Sequence, residues 1–241
     1  MGGYGSYKEI WLSQVKALLN QGFRVINLDR RNSGRSQATT KGLRMSRQGK
    51  DVAELINFLN FRKLNLMGNS MGASVIWAYI SLYGEEKINK IISVDQSPKM
   101  INEVSWPFGM KGVNWENFHQ AAENIYYIHT TYKYIDNETF ELLKQIKIGQ
   151  HFDKKLNKPL LIDHTFQDWR DIIKNLSVPT LFVSSDHTPL WPSDHVKIQS
   201  KMAKKGAYRI ISNAGHIIMA EQPEKFNQLM LKFFKQSIYN N

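Results

Sequence analysis

Apolar positions along the chain fall into two alternating rhythms. FRVINLD (residues 23–29), KLNLMGN (63–69), KIISVD (90–95), VPTLFVSS (178–185) and AYRIIS (207–212) are short runs rich in aliphatic and β-branched residues, and they read as buried strands. Helix-period segments lie between them. One spans about 7–21 and is stopped by Gly22; another, 46–61, puts Val52, Leu55, Ile56 and Leu59 on one face. A third covers 71–83, a fourth 193–205, and a last amphipathic helix runs to Phe234. Strand–helix repetition of this kind predicts an α/β fold, a mostly parallel sheet with helices on both faces. After Asp95 the rhythm breaks. Residues 98–170 read as a mainly helical cap insertion, so 1–97 and 171–241 are expected to form the core. The insert's aromatics (Trp106, Phe108, Trp115, Phe118, Tyr126, Tyr127, Tyr132, Tyr134) are expected to pack it onto the core, with some lining a pocket.

One strand ends on Gly68-Asn69-Ser70-Met71-Gly72 and a helix begins at once. This fits the G-x-S-x-G elbow, where a strained turn lifts a serine hydroxyl clear of the sheet. Larger side chains at the two glycines would clash where backbone meets backbone. The amide of Met71 then sits at a helix N-terminus, where it can donate to a developing oxyanion. A serine needs a base. Of the seven histidines, six stand in polar or aromatic contexts typical of surface or packing residues. His216 follows Asn213-Ala214-Gly215 in a loop beyond the last strand, from where it can reach back to a mid-chain elbow. Nucleophile first and histidine last is the α/β-hydrolase order.

On GNSMG, on DRRNSGRS (29–36), on 178–192 and on 213–223, the chain resembles the α/β-hydrolase superfamily, in its esterase, haloperoxidase-like and dehalogenase-like branch. The resemblance spans nearly the whole chain. It implies that Gly2-Gly3 lie in the oxyanion loop, with the amide of Tyr4, or of Gly3, as second donor. It also implies further strands before this loop, absent here. Their absence would leave an exposed sheet edge and suggests a shortened product, a different start, or a partner covering that edge. The family's usual acid position falls on Thr188, which carries no charge. Asp95, where some dehalogenase-like relatives carry their acid, and Asp186 are the two candidates. Asp29 ends a strand beside Arg31 and Arg35 and is read as a loop brace, and Glu221 as a brace of the His216 loop or a helix cap.

The resulting expectation is a serine hydrolase that cleaves a small, partly apolar ester through an acyl-enzyme on Ser70, with no cofactor and no metal. Alternatives are a non-catalytic member binding a small ligand or a partner, and a hydrolase of a lactone, thioester or amide. Composition narrows this further. The absence of Cys removes disulfides and thiolate nucleophiles. The formal charge of +11 arises from scattered lysines, read as solvated surface and not as a nucleic-acid footprint. No apolar run is long enough to span a membrane. A cytoplasmic protein is expected, with a homo-oligomer or a partner at the open edge as the two readings of that edge.

Overall fold

In the computed structural model, which describes residues 1–125, 128–149 and 152–235, four strands form one sheet. They are β1 (Leu64–Asn69), β2 (Ile88–Val94), β3 (Thr180–Ser185) and β4 (Gly206–Ile211). The order is β1-β2-β3-β4 and every pairing is parallel. Parallel neighbours need crossover connections, and the helical periods supply them. A short 3₁₀ turn (Lys8–Trp11) leads into α1 (Leu12–Leu19), and α2 (Met45–Phe58) precedes β1. The β1–β2 connection is α3 (Met71–Tyr83). Between β2 and β3 lie α4 (Phe118–Asn124), α5 (Asn137–Gly149), α6 (Lys154–Phe166) and α7 (Arg170–Asn175). The β3–β4 connection is α8 (His195–Met202), and α9 (Ile218–Glu221) and α10 (Pro223–Lys235) close the chain.

The strands alternate between two apolar layers. Leu66, Ile91 and Phe182 pack with Val52, Ile56, Val75 and Trp77 from α2 and α3. Ile92, Val94, Leu181 and Val183 face the other way, onto Trp11, Leu18, Phe226 and Met230 from the terminal segments. The sheet is thus covered on both faces, as the continuous apolar runs require. A third cluster joins Met100, Ile101, Met110, Val113 and Phe118 to Leu190 and Trp191. The aromatics after β2 divide between two environments. Trp106 and Phe118 are buried, whereas Trp115, Tyr132 and Tyr134 are exposed. Tyr126 and Tyr127 lie outside the described residues.

Residues 23–29, expected as a strand, do not form one. They run beside the sheet but are separated from β1 by a cavity of about 330 Å³, lined by Trp11, Leu18, Val25, Leu28, Leu64 and Leu66. Among the described residues, only Met1 bonds to the outer edge of β1. Its nitrogen donates to Met67 O (2.9 Å) and its carbonyl accepts from Asn69 N (3.1 Å), a single rung of a parallel ladder. Without a neighbour close enough to pair, the β-branched composition of 23–29 cannot make a strand. Asp29 braces its loop as expected, but its ion-pair partner is Lys8 (2.7 Å), while Arg31 pairs with Asp51. Among the described residues no helix is long and apolar enough to cross a membrane.

His164 of α6 is buried, and burial together with the nearby Arg30 charge pushes its imidazole down from 6.5 to about 3. The folded protein therefore holds it neutral, while the unfolded chain takes up a proton below about 6.5. Stability falls as pH drops from there towards 3, by about 1.4 kcal/mol per pH unit from this group. In urea titrations at pH 6.5 and 4.5, His164→Gln should lose about 2 kcal/mol less than the parent between the two conditions. Equal losses would mean that His164 is not held neutral.

Candidate active site

The candidate groups stand at the C-terminal ends of the parallel strands, where open α/β sheets place their chemistry. β1 runs into Ser70, whose φ of 55° and ψ of −132° lie outside the regions ordinary residues favour. Strain of this kind amounts to about 1–3 kcal/mol and persists only where the surroundings enforce it. Here they do. Ser70 N donates to Val94 O (2.9 Å), and Ser70 O accepts from Ala73 N (2.8 Å) to start α3. A Cβ on Gly68 would lie 2.4 Å from the Gly72 carbonyl, and one on Gly72 would lie 2.4 Å from Met1 O. Both positions must be glycine for the turn to close. Met71 opens α3, so its N–H is among the donors that have no partner inside the helix.

His216 lies in the loop after β4, and its Nδ1 is 2.6 Å from Asp95 Oδ2. An ionised carboxylate only accepts, so Nδ1 carries the proton and Nε2 is left as the basic nitrogen. Asp95 follows β2 with φ 47° and is fully buried. Thr188 Oγ1 donates to the same oxygen at 2.6 Å, and Ser184 Oγ donates to Oδ1 at 2.7 Å. His195 Nε2 stands 3.8 Å from Oδ1, an electrostatic contact longer than a hydrogen bond. Burial alone would raise the Asp95 carboxyl, but the facing imidazoles of His195 and His216 outweigh it and hold it well below the usual carboxylate range. The Asn69 amide ties this histidine to the elbow, donating to both Val94 O and His216 O at 3.2 Å.

Asp186 goes elsewhere. It is exposed, pairs with His187 Nδ1 at 2.7 Å and accepts from Asn213 N at 2.8 Å. Of the two acids raised by the sequence, the structure brings Asp95 to His216. Gly3 packs directly on the serine, since a Cβ there would lie 2.9 Å from Ser70 Cβ and 3.3 Å from its Oγ. The Gly2–Tyr4 segment therefore borders the hydroxyl. Tyr4 turns its ring to meet Phe152 edge-on at 4.8 Å.

Four groups had no role assigned from sequence. Thr188, at the position where the resemblance would put the acid, donates instead to the Asp95 carboxylate. Ser184 and His195 reach Asp95 from β3 and α8, and only folding reveals it. Arg30 binds the Gly2 and Gly3 carbonyls. Glu221 exceeds its expected bracing role. Its carboxylate accepts from Gly215 N (3.0 Å), Ile217 N (3.3 Å), Tyr132 N (2.7 Å) and Lys133 N (2.8 Å). His216 N in turn donates to Thr130 O at 2.7 Å, so the segment before α5 is laced onto the histidine loop.

A serine on a strand-to-helix elbow, above a parallel sheet that also presents a carboxylate-held histidine, defines an α/β enzyme of the serine-hydrolase class. A family model described as alpha/beta hydrolase fold matches residues 2–125, and the chain belongs to that family. It is 24% identical to a putative non-heme chloroperoxidase of Synechocystis sp., covering 97% of this chain and 89% of that protein. It is 23% identical to 3-oxoadipate enol-lactonase 1 of Acinetobacter baylyi, over 96% and 85% of the two chains. Among solved structures, an esterase from Exiguobacterium antarcticum superposes with a TM-score of 0.83 at 19% identity, covering 97% of this chain and 90% of that one. At that identity the superposition speaks for the fold alone.

Replacing Glu221 with Gln turns an amide NH₂ towards amides that need an acceptor. Chemical denaturation should show a loss of about 2–3 kcal/mol. Hydrogen exchange at Tyr132, Lys133 and Gly215 should speed up together. Unchanged exchange at Tyr132 and Lys133 would mean that the clasp does not hold the two segments.

Proposed function

We propose that the protein is a carboxylesterase-type serine hydrolase acting on a small, partly apolar ester. The observation that carries this reading is the 2.6 Å Nδ1–Asp95 bond, made by a histidine whose carbonyl accepts from the amide of Asn69, the residue before Ser70. In this reading His216 Nε2 removes the Ser70 proton as Oγ bonds to the ester carbonyl carbon. The carbonyl electrons move onto oxygen, which accepts from the N–H groups of Met71 and of Tyr4 or Gly3. Collapse expels the alcohol, protonated by His216, and leaves an acyl group on Ser70. Water then gives its proton to Nε2 and attacks that acyl group, and release of the acid restores the hydroxyl. Asp95 keeps Nδ1 protonated and stabilises the imidazolium, without itself taking the proton.

The aromatic and aliphatic side chains between β2 and β3 support an apolar substrate of modest size. A cyclic ester needs the same chemistry, and the lactonase among the relatives makes lactones the natural second set to assay. Hydrolysis of p-nitrophenyl acetate and butyrate is the direct test. Ser70→Ala and His216→Ala should each abolish turnover above background. Asp95→Asn should lower kcat by roughly 10³–10⁴-fold, as expected when the histidine loses its orienting carboxylate. Asp186→Asn should stay within about twofold of the parent, the behaviour of a surface substitution away from the site. Full turnover in folded Ser70→Ala would overturn the reading.

A further inference from the structure

Arg30 is a buried cation with an unusual set of partners. It is 6% exposed, and among the described residues it makes no ion pair. Its guanidinium donates from Nε to Gly2 O (3.1 Å), from Nη2 to Gly3 O (2.7 Å) and from Nη1 to Gln48 Oε1 (3.0 Å). Nη1 also lies 3.6 Å from Met71 Sδ, beneath the elbow. A buried charge is usually met by an opposite charge. This one is met by two successive backbone carbonyls of the loop that borders Ser70.

The identity of those carbonyls matters. Gly2 C=O belongs to the same peptide unit as Gly3 N–H, and Gly3 C=O to the same unit as Tyr4 N–H. These two amides are the candidate second oxyanion donors. A peptide unit is conjugated, so a cation on its oxygen draws electron density from its nitrogen and strengthens the N–H as a donor. The rigid fork of a guanidinium also fixes the planes of both units at once, which an ammonium cannot do. We propose that Arg30 is a positioning residue for the oxyanion hole, orienting and polarising the Gly3 and Tyr4 amides through the carbonyls they share. The inference rests on the hydrolase reading above.

The electrostatics support it. Burial lowers the Arg30 guanidinium to about 10, so it stays charged through neutral and mildly alkaline pH. The titratable groups facing it are His164, the Met1 amino group and Tyr4. His164 is pushed down to about 3 and the Met1 amino group to about 5, by burial first and by Arg30 second. Both are neutral where the enzyme would be assayed, and the field at the loop is that of Arg30.

The test compares Arg30→Met and Arg30→Lys with the parent. The probe is an aryl trifluoromethyl ketone, which Ser70 converts to a hemiketal whose oxyanion occupies the hole. The ionisation of that hemiketal is followed by ¹⁹F NMR across pH. In Arg30→Met the hemiketal should ionise about one pH unit higher, a tenfold weaker hold on the oxyanion. Its kcat on p-nitrophenyl butyrate should fall by a similar factor, roughly tenfold and less than removal of a donor itself, with KM within about threefold. Arg30→Lys, which keeps the charge and loses the fork, should fall between. Should Arg30→Met fail to fold, Arg30→Lys and Gln48→Leu, which frees the guanidinium from its aiming partner, carry the same measurements. Lower kcat with hemiketal ionisation unchanged would assign Arg30 a purely structural role and overturn the proposal, as would kcat within about threefold of the parent in Arg30→Met. A parent protein that neither turns over ester nor forms the hemiketal would instead overturn the hydrolase reading, and this inference with it.

Discussion

A single buried carboxylate, Asp95, joins the parts of the site. Taking a charge out of water costs several kcal/mol unless hydrogen-bond donors replace the lost hydration. The groups that meet it come from different parts of the chain, three as hydrogen-bond donors and His195 as an electrostatic neighbour. Ser184 lies in β3, Thr188 in the loop after it, His216 in the loop after β4, and His195 opens α8. Trp191 adds a bond from its indole to the Asp95 carbonyl at 2.9 Å. The ends of three strands are therefore gathered around one charge. The orientation of His216 follows from that gathering.

Two further buried or nearly buried charges flank it, and each is satisfied in its own way. Asp95 is met by hydroxyls and imidazoles, Glu221 by backbone amides, and Arg30 by backbone carbonyls. Glu221 fixes the histidine loop and the segment packed on it, and Arg30 binds the carbonyls of the glycine loop that packs on Ser70. Groups held in this way need little reorganisation when charge develops, which is where electrostatic catalysis gains most. The strain at Ser70 is sustained by the same framework, since the elbow is bonded to β2 on one side and packed on the glycine loop on the other.

Much of this was legible in the sequence, because strand–helix rhythm and the elbow are local patterns. The four paired strands, the serine and the late histidine were all visible from short windows. The acid was not. Asp95 and Asp186 both end strands beside plausible loops, and only the path of the chain after β3 turns Asp186 outward to His187 and brings Thr188 inward. Arg30 carried no signal, because its meaning depends on Gly2 and Gly3 folding back across some thirty residues of sequence. Residues 23–29 misled for the opposite reason. Their composition suits a strand, but strand formation requires a partner at bonding distance, and across the cavity beside β1 there is none.

That cavity bears on how the molecule behaves in concentrated solution. In the parallel ladder, Met67 O and Asn69 N face Met1, so alternation puts the Asn65 backbone on the same side, toward the trough. An apolar trough bordered by backbone that can still form a ladder is a template for an extended segment from any neighbouring polypeptide. The net charge of +11 opposes such encounters through mutual repulsion. Repulsion between surface charges fades once the Debye length falls to a few ångströms at molar salt, whereas the trough is unaffected by salt. Long-range charge and a short-range apolar surface thus act in opposite directions here, and high ionic strength weakens only the first.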